Sequence, residues 1–325
     1  MPHKAKGSIA LLFALFLFSC AGGSSGNGAQ EESGLSAAYP SASPYYFIAV
    51  HMEPYHSQPL QKERIADEYC LLETMVEKAN GYTMKLTLMF SVPWVEYIME
   101  SPERIAEVQQ WQEQGHEIAV HHHDIYGGTW DGFTEYSSEE AVRLRTERAG
   151  SAEEYRGTLA DLMAVLGKTP FSFRSGCTNE EYDKNSMPDE IICSTCSGYA
   201  GFGEPGTTLA DKENPDRGRN AFITTGMWKG IRRKWLSHFL IDSDLNRKDA
   251  QDTFSSMEGG EVFGGLMHSQ KDELSPFISF LEFLHEKDPS GGKSRTVSEI
   301  INGGILPERE IAVPRYLEEY KDFFL

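Results

Sequence analysis

The chain has 325 residues, ten histidines and a formal net charge of −19. So acidic a chain is a poor ligand for nucleic acid, and no basic stripe offsets the balance. The one basic cluster, residues 229–234, reads as a solvated face, and no internal repeat divides the chain.

Taken from the start, residues 1–19 form a targeting segment. Lys4 and Lys6 precede an apolar run, 9–18, that at about ten residues is too short to span a bilayer as a helix. The run ends in Leu17-Phe18-Ser19-Cys20, which resembles the lipobox of bacterial lipoproteins. That resemblance implies cleavage before Cys20, a lipid on its sulfur, and an extracytoplasmic protein anchored to a bacterial membrane. Ala21 carries no inner-membrane retention signal, which favours the outer membrane or cell surface. Residues 20–44, rich in Gly, Ser and Ala, read as a flexible tether. Residues 45–325 then make one large domain.

Within that domain, strands are expected at 46–52, 85–90, 117–123, 170–174, 191–194, 221–225 and 262–267. Helices are expected at 61–79, stopped by Asn80-Gly81, and at 102–114, where Ser101 is the N-cap and Gly115 the stop. Two more are expected at 137–166 and 276–287. Strict alternation of strand and helix predicts an α/β fold with a parallel sheet, and at this length a closed or nearly closed barrel. Active sites of such barrels gather at the C-terminal ends of the strands.

The strand ends do carry chemistry. The first ends in His51-Met-Glu53, the third in His121-His-His123-Asp124, the fourth in Arg174 and the late one in His268. Alternate residues of a strand share a face, so His51 goes with Glu53, and His121 with His123. Imidazoles and carboxylates converging at a barrel mouth suit a divalent metal, zinc first among them. The zincin pattern fails: His116-Glu117 lacks a histidine at position 120, and the segment reads as strand. His116 is then a rim or surface residue at the bottom of the third strand. Trp94, Trp130 and Trp228 could stack on sugars but are more simply core.

Here the sequence resembles a known family. "GHEIAVHHHD" looks like the second motif of the NodB-type polysaccharide deacetylases, "PFSFRSG" like their arginine motif and "VFGGLMHSQ" like their late histidine strand. "FIAVHMEP" occupies the place of their first, carboxylate-bearing motif. The resemblance implies a distorted (β/α)7 TIM-like barrel of the NodB and glycoside hydrolase-deacetylase type. It implies metal-dependent removal of N- or O-linked acetyl groups from an acetylated glycan. It implies a metal held by Glu53 or His51 with His121, His123 and Asp124, whichever of His51 and Glu53 is not the ligand acting as base, His268 as general acid and Arg174 orienting the base. Two departures stand out. His51-Met-Glu53 replaces a pair of aspartates, and no histidine lies four residues after His121, so the second ligand falls to His122, His123 or Asp124. A barrel that has lost hydrolysis and binds glycan or metal is the alternative reading; hydrolysis of a non-sugar amide is a third. Of the cysteines beyond Cys20, a disulfide of Cys177 with Cys193 or Cys196 suits an exported chain.

Overall fold

The computed structural model describes residues 43–53, 61–122, 164, 167–178, 191–195, 218–228 and 231–310. All lie in the second of two units, Ser41–Leu325. Cys20, expected to carry a lipid, the residues His123 and Asp124, and all but residue 164 of the helix expected at 137–166 lie outside them. Among the described residues, no helix is long and apolar enough to cross a membrane.

The strands are β1 Tyr45–Met52, β2 Leu86–Phe90, β3 Glu117–His122, β4 Ser175–Thr178, β5 Cys193–Ser194, β6 Arg219–Asn220, β7 Ile223–Trp228, β8 Ile231–Trp235, β9 Phe239–Leu240, β10 Val262–His268 and β11 Glu308–Glu310. The helices are α1 Gln61–Gly81, α2 Val92–Met99, α3 Pro102–Glu113, α4 Asp244–Ser256, α5 Leu274–Lys287 and α6 Val297–Asn302. Seven strands run parallel in the order β8-β5-β4-β3-β2-β1-β10, and β9 adds in parallel to the far edge of β10. Only residues 236–238 separate β8 from β9. A link that short spans little more than 10 Å, so the sheet must curl until its two ends meet. Followed once round through β8, its link and β9, the register returns to β1 displaced by about eight residues, the stagger of a TIM barrel. The fold is a mixed α/β, distorted TIM-like barrel, closed by the chain itself rather than by a continuous ladder.

Asn220 fastens that closure. Its amide donates to the carbonyls of Gly218, Ser237 and Val262, and its Oδ1 accepts from the Ser237 N–H at 2.6 Å. Gly264 makes room for it: a Cβ there would stand 2.2 Å from the Ser237 carbonyl oxygen and 2.5 Å from the Phe47 ring.

Alternation along the strands separates two cores. Tyr46, Ile48, Val50 and Met52 of β1, with Leu86, Leu88, Ile118, Val120, Phe263 and Met267, face the helices. Phe47, Ala49, Met89, Ala119, Val262 and Leu266 fill the interior, and Val297, Ile300 and Ile301 of α6 pack into the same cluster. The period is what aims the histidines. His51 continues the inward row of Phe47 and Ala49, His121 that of Ala119, and His268 that of Val262 and Leu266. His122 falls on the opposite face.

The N-terminal end of the barrel is tied by Glu117. Its carboxylate accepts from Thr87 (3.3 Å), Ser175 (2.8 Å), the Ser298 N–H (3.0 Å) and the Ser298 hydroxyl, joining β2, β3, β4 and α6. His116, expected as a rim or surface residue at the bottom of the third strand, does lie at that end but is buried. Its Nδ1 accepts from the Leu86 N–H at 3.0 Å, so its Nε2–H donates to Asn80 Oδ1 at 3.1 Å.

Another expectation changes. Residues 231–235 of the basic run form strand β8: Arg232 and Lys234 pair with Glu308 at 3.0 and 2.6 Å, but Arg233 is buried and donates to the Ile191 carbonyl. Cys193 is buried, with its Sγ 3.7 Å from the Ser194 carbonyl; the side chains of Cys177 and Cys196, the two expected pairing partners, lie outside the described residues.

Candidate metal centre

Three inward imidazoles meet one carboxylate at the C-terminal end of the parallel strands. His51 and His268 are register partners on β1 and β10. Glu53 and His121 stand one pleat further along, because Ala119 shares the row of Met89 and His51. Glu53 Oε1 lies 3.1 Å from His121 Nε2, 3.5 Å from His268 Nε2 and 3.6 Å from His51 Nδ1. The Ser91 hydroxyl donates to the Met52 carbonyl at 2.7 Å and steadies the turn that presents Glu53.

Four metal ligands at about 2.0–2.1 Å in a tetrahedron are spaced about 3.3 Å apart. The distances from Glu53 Oε1 to His51 and His121 straddle that figure, and one donor atom from each of the three residues falls within 4.8 Å of the others. His51 turns Nδ1 to Glu53, and its other ring nitrogen, Nε2, is enclosed with no hydrogen-bond partner among the described residues. The donor set of nitrogen and oxygen suits zinc or a similar divalent ion.

The electrostatics sort the imidazoles. Burial, and then the neighbouring His121, hold the pKa of His51 well below its usual value, so it is neutral and able to coordinate. Burial opposes the charge on Glu53, but His121 and hydrogen bonds from the three imidazoles outweigh it and keep the carboxylate ionised. His268 is clamped by Glu273, which accepts from its Nδ1–H at 2.8 Å and its backbone N–H at 2.7 Å. Burial disfavours its charged form, yet Glu273 and Glu53 push its pKa up to about 10. It therefore carries a proton on the nitrogen that faces Glu53.

His51, Glu53, His121 and His268 are thus brought together. Arg174 is not. β4 begins one residue after it, so Arg174 lies at the N-terminal end of the strand, exposed, in a groove with Gln112, Glu113 and Ser298. Reading the strand at 170–174 moved it one strand length towards the wrong end. Trp94 is buried in the outer core. Two residues of the site were missed. Glu273 is five positions after His268, in a short 3-10 turn that no apolar pattern marks. His238 stands in the link after β8, with its ring centre 5.5 Å from that of His51.

No protein-family model matches the chain, and no curated protein matches it. Among solved structures it is similar to the 4-alpha-glucanotransferase of Thermococcus litoralis, at 14% identity and a TM-score of 0.46, over 82% of this chain and 39% of that one. It is also similar to a variant of the peptidoglycan deacetylase PdaC from Bacillus subtilis, at 13% identity and a TM-score of 0.32, over 86% of this chain and 96% of that one.

Proposed function

We propose that the chain is a metal-dependent hydrolase that removes N- or O-linked acetyl groups from a cell-envelope or extracellular glycan. The observation that carries this reading is the convergence of His51, Glu53 and His121 on donor spacing at the barrel mouth, beside a protonated His268. The motif resemblance supplies the reaction class. A divalent ion held by His51, Glu53 and His121, zinc before others, would polarise the acetyl carbonyl and acidify the attacking water. His268 donates its Nε2 proton to the amine or alkoxide as the C–N or C–O bond breaks. Glu273 holds the ring in that tautomer and orientation. The lipid on Cys20 and the tether 20–44 would keep the barrel at the membrane surface, where such a glycan lies.

The test joins two measurements on the full chain purified without a histidine tag. Bound zinc, nickel, cobalt, manganese and iron are quantified by mass spectrometry. Acetate release from acetylated chito-oligosaccharides and acetylated xylan is followed before and after chelation. One ion per chain with chelator-sensitive release is expected; release that survives chelation excludes the reading. The second reading, a glycan- or metal-binding barrel without turnover, is favoured by the missing aspartate pair and the remote Arg174. An ion bound without acetate release on either substrate would select it.

A further inference from the structure

Hydrolysis by water needs a group to take the water's proton, and the residues of the first motif are already engaged. Glu53 Oε1 is shared among three imidazoles. His51 is enclosed, at 1% exposure, with Nδ1 turned to Glu53. A fourth imidazole stands beside them. Alternation through β8, its link and β9 sets Leu236, His238 and Leu240 on one face, and Leu236 belongs to the interior core with Leu240 packed against it. His238 therefore points inward, and its ring meets that of His51 edge-on at 5.5 Å and 89°. Unlike His51 and His121 it is only half-buried.

Its backbone is held unusually well for a connecting segment. The Leu236 N–H donates to the Ser194 carbonyl at 3.2 Å, and Ser237 is gripped through both its N–H and its carbonyl by Asn220. Gly264 leaves the space this needs. A link so fixed delivers one side chain to one place, which is what a reacting group requires and a mere connector does not.

We propose that His238 is a catalytic residue, the base that receives the proton of the attacking water; this rests on the deacetylase reading above. The water oxygen bonds to the acetyl carbon, and its proton passes to a ring nitrogen of His238. The C–N or C–O bond then breaks, and its electron pair takes the proton of His268 Nε2. Acetic acid and the free amine or hydroxyl leave, and the proton on His238 returns the protein to its starting charge by re-protonating His268 through solvent.

The test uses the full chain with H238A and H238Q, an acetylated chito-oligosaccharide, and cobalt substituted for the resident ion. Both variants are expected to keep one ion per chain and the visible spectrum of the cobalt form. KM should stay within about threefold while kcat falls by roughly 10²–10⁴, the usual worth of general base catalysis. Free imidazole should restore part of the kcat of H238A and none of that of an H121A control. Wild-type kcat in H238A, or an altered cobalt spectrum with loss of the ion, would overturn the role and leave the deacetylase reading standing. A wild-type chain that binds its ion but releases no acetate would overturn both.

Discussion

His116 and His121 lie five residues apart, and the chain puts them to opposite uses. His116 is a structural imidazole: it accepts one backbone hydrogen bond, donates another to Asn80, and has no room for a second ring proton. Burial, and then Lys85, lower its pKa to about 4. The unfolded imidazole takes a proton near pH 6.5, so protons favour the unfolded chain between those values. The contribution is intact above pH 6.5 and is lost as pH falls towards 4, by about 3 kcal/mol in all. Urea midpoints of wild type and H116Q, compared from pH 7 to 4, should converge as acid is added; parallel curves would show that His116 does not titrate in the fold. At the mouth, H121A should lose both the bound ion and acetate release, which atomic mass spectrometry and the release assay read together. E273Q should keep the ion but cost about 10–100-fold in kcat, since a support that orients a reacting imidazole is worth that much. Full activity in E273Q would mean that His268 needs no clamp.

At the scale of elements, Gly264 is the position on which closure depends. G264A must push Cβ against the Ser237 carbonyl and the Phe47 ring, and overpacking of this kind costs typically about 1–3 kcal/mol. A lowered thermal midpoint is expected, and an unchanged one would show that the link can move aside. The same elements show what could be read in advance. β1, β3 and β10 are short apolar runs, buried on both faces, that end at or next to His51, His121 and His268, so the strands were legible as runs and the shared faces followed from the strand period. The strand at β4 was not, because Phe171 and Phe173 set up an alternation in the approach, while the strand itself is Ser-Gly-Cys-Thr, with no apolar period to read. β8 hid behind its charges: Arg232 looks solvated and is exposed, yet Lys234 is half-buried and Arg233 between them is buried. With β8 unread, nothing marked the run Leu236-Ser-His238-Phe-Leu240 as inward-facing at alternate positions. His238 was legible only to a reader who had already placed that strand.

For the molecule as a whole, the charge of −19 sets a preference among substrates. An anionic glycan approaching so acidic a surface is repelled, and the repulsion is screened by salt over about 10 Å at 0.1 M. KM for a carboxylated oligosaccharide should therefore fall as salt rises, while that of a neutral one stays flat; steady-state kinetics at two ionic strengths would show it, and identical salt responses would refute it. The barrel also has a history imposed by its topology. β1 lies between β2 and β10, and of these two neighbours β10 arrives roughly two hundred residues later. Until then β1 is an edge strand with an open row of amides and carbonyls, beside an interior that α6 has not yet plugged. A nascent chain halted before β10 would be sticky rather than half-built. Secretion that hands the chain across a membrane unfolded, and lets it go only when complete, would spare it that stage, and ribosome-stalled fragments ending before Val262 should need a holdase to stay in solution.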